Sequence, residues 1–263
     1  MNFFKEEKNM SSHQKLLNGL EEIGIICIQD HIDTYIDLVN QGEKSFGEAL
    51  EELVEIERVY RQAKRDSINL HIANFPFLKT IDDFDFGFQP GINKKEVLEL
   101  NNLGFLEKYE NIIFVGSSGV GKTHLATSLG ISCTKARYQT YFISFESLIS
   151  QLKRALNENK LESRLKFYAK YKVLIIDEIG YMPIDKDAAN MFFQLIAKRY
   201  EKNTTIVTTN MPFSKWGEFF GSSTLANAVL DRLLHHSKII SIKGPSYRLK
   251  DKRPFIDDKR VDG

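Results

Sequence analysis

The chain has 263 residues, 42% of them hydrophobic and 27% charged, with a formal net charge of +1. That balance describes a folded globular domain with room for a second, smaller one, and it excludes a global basic field as the means of holding nucleic acid, so any such surface must be local. No apolar run reaches the length of a membrane span, residues 1–14 lack the apolar stretch of a signal peptide, and Cys27 and Cys133 stand without metal or redox spacing, as buried thiols in a reducing cytoplasm would.

Residues 14–39 carry helical spacing. Leu16, Leu17, Leu20, Ile23 and Cys27 fall on one face, followed by Ile32, Tyr35, Ile36 and Val39. Gly24 either separates two turns or weakens one helix, and Gly42 is a stop. Ser45-Phe46-Gly47-Glu48 is a capping box, which opens a helix predicted to reach about Ile72. Its expected apolar face is Phe46, Leu50, Leu53, Ile56, Tyr60 and Ala63. Glu48, Glu51, Glu52 and Glu55 crowd its first half and Arg58, Arg61, Lys64 and Arg65 its second, which suits the helix dipole. Those charges read either as a solvated face or as a partner surface. Asn74-Phe75-Pro76 breaks the helix. The expected division is a helical module over residues 1–75 and a second domain over 76–263. Residues 77–92, with Phe84, Phe86 and Phe88, either wall a nucleobase pocket or pack into a core. A helix is expected over residues 93–106.

The apolar run Ile112-Ile113-Phe114-Val115 reads as a buried strand. It leads into Gly116-Ser117-Ser118-Gly119-Val120-Gly121-Lys122-Thr123, which fits G-x-x-x-x-G-K-[ST], and a helix starts at His124. Strand, glycine loop and helix form the context of a P-loop. Glycines let the backbone amides approach phosphates closely, Lys122 supplies charge to the β- and γ-phosphates, and the Thr123 hydroxyl is placed for Mg²⁺. Residues 116–124 are therefore the expected ATP-binding stretch.

Beyond it the pattern alternates. Strands are predicted at residues 139–144, 173–176, 204–209 and 238–242. Helices are predicted at 145–156, 160–170, 187–202 and 224–235. The expected fold is α/β: a three-layer P-loop sandwich with a mainly parallel sheet covered on both faces, preceded by the small all-helical module. Ligands in such sheets sit at the carboxyl ends of strands, where the phosphate loop, Asp177-Glu178 and Asn210 all fall. Asp177 is the expected ligand to the Mg²⁺ shell, and Glu178 the expected base that polarises a lytic water. Asn210 is placed to sense the γ-phosphate or that water. Arg232 either stabilises transition-state charge from a neighbouring subunit or is a surface arginine paired with Asp231. Lys153, Arg154, Lys160, Arg164 and Lys166, with Lys170 and Lys172, make a local basic stripe that fits nucleic acid or a solvated helical face. The tail adds Lys243, Arg248, Lys250, Lys252, Arg253, Lys259 and Arg260.

Taken together, these residues resemble the IstB-like ATPases, the transposition helpers encoded by insertion sequences, which belong to the AAA+ class beside DnaC-like helicase loaders. The resemblance rests on Phe84-Asp85-Phe86 before Gln89-Pro90, on the loop through Lys122-Thr123-His124-Leu125-Ala126, and on Asp177-Glu178-Ile179-Gly180-Tyr181. Thr208-Thr209-Asn210, Leu230-Asp231-Arg232-Leu233 and Ser246-Tyr247-Arg248 complete it. Ser117-Ser118 stand where the family often has two prolines, and Val120 where it often has threonine. The resemblance implies a cytoplasmic, Mg²⁺-dependent ATPase that forms homo-oligomers on double-stranded DNA and hands a target site to a cognate transposase. It implies Arg232 as an arginine finger acting in trans, and residues 145–172 as an insertion facing DNA. The helical module would make subunit or transposase contacts. The chain ends soon after Ile242 for a helical lid, which leaves Arg248 as the candidate second sensor. The alternative is a DnaC-like loader serving a replicative helicase. More distant readings are a small-molecule phosphotransferase, against which Glu178 argues for water as acceptor, and an assembly protein that binds ATP without turnover.

Overall fold

The computed structural model describes residues 11–252, Met182 excepted, so Arg253, Lys259 and Arg260 of the basic tail lie outside the described residues. The chain divides into two compact units, residues 1–68 and 69–263.

The first unit is helical. Helix α1 (Ser12–Glu22) is capped by Ser11, and Gly24 at φ +73° ends it, so the glycine separates two elements. A short 3-10 turn (Cys27–Asp30) and helix α2 (Ile32–Asn40) follow, and Gly42 at φ +76° is the stop. Helix α3 (Phe46–Ile72) begins with the predicted box: Ser45 N donates to Glu48 Oε2 at 2.8 Å, and Glu48 N donates to Ser45 Oγ at 3.3 Å. The buried face of α3 differs from the expected one. Ala49, Leu53 and Glu57 are buried, while Phe46, Leu50 and Tyr60 are exposed. The reason is a polar contact that hydrophobic periodicity does not register. Glu57 Oε2 accepts from Cys27 N at 3.0 Å and Oε1 from Arg61 Nε at 2.7 Å, and Arg61 also donates to the Gly24 carbonyl at 2.8 Å. The carboxylate thus satisfies an orphan amide at the start of the 3-10 turn. Around it Ile28, Ile32 and Leu53 form a small core with Leu17, Leu20, Ile25 and Tyr35. Some of the helix charges are paired inside the unit while staying partly exposed, since Glu52 also takes Tyr35 Oη at 2.8 Å and the Lys44 ammonium.

In the second unit, helix α4 (Lys94–Leu100) is shorter than expected. Asn93 caps it, Leu103 turns left-handed, and a 3-10 turn (Gly104–Leu106) leads to the sheet. The sheet strands are β1 (Asn111–Gly116), β2 (Thr140–Ser144), β3 (Val173–Ile179), β4 (Thr204–Thr209) and β5 (Ser237–Ile242). They lie in the order β2-β3-β4-β1-β5, and every pairing is parallel. Helices α5 (Lys122–Lys135), α6 (Phe145–Asn157), α7 (Leu161–Ala169), α8 (Lys186–Arg199), α9 (Trp216–Phe219) and α10 (Ser223–Leu234) connect them.

Alternate strand residues feed two cores, as strands buried on both faces require. Ile112, Phe114, Ile175 and Ile206 pack with Leu125, Ala126 and Leu129 of α5 and with Val97 and Leu100 of α4. Ile113, Leu174, Ile176 and Val207 pack with α6 to α10. Arg199 ends α8 fully enclosed, donating to Thr205 Oγ1 and to the carbonyls of Tyr168, Tyr171 and Thr204, and burial pulls its pKa down to about 9. Among the described residues no helix is long and apolar enough to cross a membrane.

Candidate active site

The loop from Gly116 to Thr123 lies between β1 and α5, at the carboxyl end of the sheet. Gly119 and Gly121 take φ +80° and +100°, a region closed to most side chains. Space forbids side chains as well. A Cβ at Gly121 would stand 2.5 Å from the Phe84 ring, and one at Gly119 would overlap the Ser246 side chain. Val120 turns inward and is fully buried, which anchors the loop from below.

Lys122 opens α5 with its side chain folded back, its ammonium donating to the Ser117 carbonyl at 2.7 Å. Burial lowers its pKa; Asp177 and Glu178 pull it back up, and Arg248 pushes it down again. A buried cation folded against a glycine loop at the start of a helix, with the Arg248 charge felt at the same place, suits an anion.

Opposite the loop, β3 carries the two carboxylates. A break in its register with β4 falls between Ile176 and Ile179. There Glu178 takes φ +62°, so Asp177 turns inward and is buried while Glu178 turns out and is exposed. Thr208 of β4 holds this bulge. Its hydroxyl donates to Asp177 Oδ1 at 2.6 Å and accepts from Glu178 N at 2.9 Å. Thr123 Oγ1 also lies on the Asp177 carboxylate, at 3.0 and 3.1 Å from its two oxygens. Burial raises the Asp177 pKa, the Thr208 and Thr123 hydroxyls oppose it, and Glu178 adds to it. A carboxylate and a hydroxyl in contact are hard oxygen donors of the kind Mg²⁺ takes.

Between loop and strand ends is a cavity of about 290 Å³. Lys122, Thr123 and Glu178 line it with the loop; Arg248 and Tyr247 border it from the C-terminal side. Phe77, Phe84, Gln89 and His124 complete the wall. His124 is fixed by the Thr80 carbonyl at 2.9 Å and stands edge-on to Phe77 and Phe84. Of the aromatic run, Phe84 is buried in the core and also borders the cavity.

Gly116, Ser117 and buried Asp177 are not among the lining residues but adjoin them through the loop and Thr123, whereas Asn210 and Arg232 are not brought to the cavity. Asn210 stands exposed just past β4, outside the lining. Arg232 lies on α10, where its guanidinium donates to the Ala228 carbonyl at 2.9 Å and sits over the Phe193 ring at 4.7 Å rather than pairing with Asp231. The basic stripe is also less uniform than its composition. Lys153 pairs with Asp185 at 2.5 Å, and Lys166 lies 3.7 Å from Glu162. Arg154, Lys160 and Arg164 line a separate groove of about 250 Å³ between α6 and α7, with Phe167, Ala155 and Glu158, whose carboxylate lies 3.6 Å from Lys160. Sequence reasoning places Thr208, Gln89 and Tyr247 only within motifs and assigns none of them an individual contact; Thr208 at the carboxylates and Gln89 and Tyr247 at the cavity are additions of the structure. The fold brings Tyr247, from near the C-terminal end, to the same cavity as the segment that carries Phe77 and Gln89.

A phosphate loop between β1 and α5, a parallel sheet of this order and paired carboxylates on β3 define a P-loop NTPase of the AAA+ class. Solved structures agree on the fold. The DnaC helicase loader aligns with a TM-score of 0.52 over 65% of this chain and 97% of its own, at 24% identity. AMPPCP-bound DnaA from Aquifex aeolicus aligns at 0.55 over 72% and 58%, at 16% identity. The chain belongs to the IstB-like ATP binding protein family, whose profile matches residues 20–254. It is 51% identical over 241 residues to the ATP-binding protein of insertion sequence IS232 from Bacillus thuringiensis subsp. berliner, spanning 92% of this chain and 96% of the relative. It is 44% identical to that of IS21 from Pseudomonas aeruginosa, over 88% and 91% respectively.

Proposed function

We propose that this chain is a Mg²⁺-dependent ATPase that assembles on double-stranded DNA in the cytoplasm and assists the transposase of its insertion sequence. The observation that carries the reading is the contact chain Thr123–Asp177–Thr208–Glu178 facing the phosphate loop. Loop amides and Lys122 would hold the phosphates, and Thr123 and Asp177 would hold a Mg²⁺ ion, which would supply positive charge beside them. Exposed Glu178, at the rim of the same cavity, takes a proton from the attacking water. Transition-state charge needs a further cation. Arg232 lies outside its own cavity, which suits delivery to the site of a neighbouring copy. Asn210, exposed at the end of β4, is proposed to reach the γ-phosphate in that assembled state. The groove of Arg154, Lys160 and Arg164 suits a phosphate backbone. The helical module, residues 1–75, is proposed to contact partner chains, through exposed Phe46, Leu50 and Val54 on α3. The names of the relatives, ATP-binding proteins of insertion sequences, support the ATP and transposition parts.

The test is Glu178→Gln. It should bind ATP as tightly as the wild type and release phosphate at least about a hundredfold more slowly, the usual scale for a lost general base. Phosphate release at the wild-type rate would refute the assignment.

A further inference from the structure

The end of the sheet opposite the phosphate loop carries a second cluster of chemistry-bearing side chains. Strands β4 and β5 enter the sheet there, on either side of β1. Glu201 lies in the turn from α8 into β4, and His235 and His236 lie in the turn from α10 into β5. Each offers one ligand atom, and the three atoms all lie within 4.8 Å of one another. His236 Nε2 stands 3.3 Å from Glu201 Oε1, and His235 Nδ1 stands 4.0 Å from the same oxygen. Among the described residues no other three histidine, cysteine, aspartate or glutamate side chains converge in this way.

The turns that carry these ligands are held by buried groups. Enclosed Arg199 grips the carbonyls of Tyr168, Tyr171 and Thr204, which fixes the chain on both sides of Glu201. Asn111 of β1 fixes the other turn. Its amide donates to the His236 carbonyl at 2.7 Å, and its Nδ2 donates to the Leu233 carbonyl at 3.0 Å. Its Oδ1 accepts from Thr205 N at 2.8 Å, so one buried side chain ties the start of β4 to the turn with both histidines. Tyr200 Oη lies 2.6 Å from His235 Nδ1 and positions that ring. The three ligand side chains are themselves about half exposed, so an ion reaches them from solvent. Ligands on a rigid frame lose little freedom when they close on an ion.

Two imidazoles and a carboxylate are a ligand set for Zn²⁺ and ions like it, whereas Mg²⁺ takes oxygen. Ligands on a tetrahedral Zn²⁺ stand roughly 3.4 Å apart. His236 and Glu201 are already at that separation, and His235 need close by only about half an ångström. We propose that Glu201, His235 and His236 form a binding site for a divalent metal ion of the Zn²⁺ type, with the fourth position left to water. At His235 the ion takes the place of the Tyr200 hydroxyl beside Nδ1. It clamps the α8–β4 turn to the α10–β5 turn. Arg232 stands three residues before His235, so the clamp also fixes the end of the helix that carries it. The site is separate from the Thr123–Asp177 pair, which lies at the other end of the strands and offers oxygen alone.

Isothermal titration of Zn²⁺ into the full chain, with Mg²⁺ in excess to compete at Thr123 and Asp177, tests this. The wild type should take up one Zn²⁺ per chain. Glu201→Gln and His236→Ala should each weaken that uptake at least about tenfold, the lower end of what even an outer-shell partner costs. Zn²⁺ at about a hundred times its dissociation constant should also raise the wild-type Tm by at least about 5 °C. In either variant that shift should shrink by about half or more. Both positions are exposed, so the variants should melt like the wild type when no Zn²⁺ is present. A wild type that takes up no Zn²⁺ would overturn the proposal. So would uptake that both variants leave unchanged, since the ion would then sit elsewhere.

Discussion

Thr208→Val removes one hydroxyl and almost no volume, and it tests how the two carboxylates are held. Thr208 is fully buried and its bond to Asp177 is buried too, so that carboxylate gains no water in exchange. Asp177 Oδ1 loses a donor at 2.6 Å, and Glu178 N loses its acceptor at 2.9 Å. A hydrogen bond to a charged group is worth about 1.5–3 kcal/mol, and a part-buried amide that loses its acceptor costs up to about 1–3 kcal/mol, so the variant should lose roughly 3–5 kcal/mol. At this chain size that lowers Tm by roughly 6–20 °C. The loss should extend to function. Glu178 holds a left-handed backbone at φ +62° that only its surroundings maintain, and a displacement of about 1 Å at a reacting group can cost about a hundredfold in rate. The Asp177 carboxyl, already raised by burial, should rise further without its donor. Metal binding needs the ionised form, so Mg²⁺-dependent ATP binding should weaken on acidification sooner than in the wild type. Calorimetric melting and phosphate release measure both effects, and Thr208→Ser should restore them. A valine variant that melts within about 1 °C of wild type and hydrolyses ATP normally would refute the reasoning.

Arg232→Ala should bind ATP normally and hydrolyse it poorly, because a finger in trans is worth roughly 10³–10⁵ in rate. Mixed with Glu178→Gln under subunit exchange it should regain turnover, and a mixture as inactive as either parent would exclude the trans role. Replacing Arg154, Lys160 and Arg164 together should flatten the salt dependence of DNA binding by up to about 2.7 in slope, at about 0.9 per phosphate. Lys153→Ala should change it less, since that ammonium already pairs with Asp185; equal effects would remove the groove from the DNA surface.

The strands were legible because sequence and packing ask the same thing of them. Ile112 to Val115 or Val173 to Ile176 can only be buried, and their alternation divides between two cores. The phosphate loop was legible because its glycines answer to geometry at fixed spacing. The bulge at Glu178 was not, since it depends on a threonine hydroxyl on another strand, and a run such as Thr204-Thr205 to Thr208-Thr209 reads from sequence only as β-propensity. Gln89 meets Pro245 across 156 positions, a distance over which no local pattern speaks. On α3 the period was right and the face shifted: Leu53 is buried as expected, but Ala49 and Glu57 join it in place of Phe46, Leu50 and Tyr60, because buried Glu57 counts as polar in any hydrophobic template. Helix α9 went unpredicted because four residues cannot show a period; Trp216, Phe219 and Phe220 make it through ring packing instead.

The central claim is that the cavity between the phosphate loop and β3 holds the triphosphate of ATP, with buried Lys122 as its close side-chain cation. Titration of ATP with Mg²⁺ into the wild type and into Lys122→Ala, each checked for an unchanged fold, tests it most directly. The wild type should bind and the variant should lose at least about a hundredfold in affinity, the loss of a charge-assisted contact of roughly 3 kcal/mol. Equal affinity in the two proteins would contradict the account.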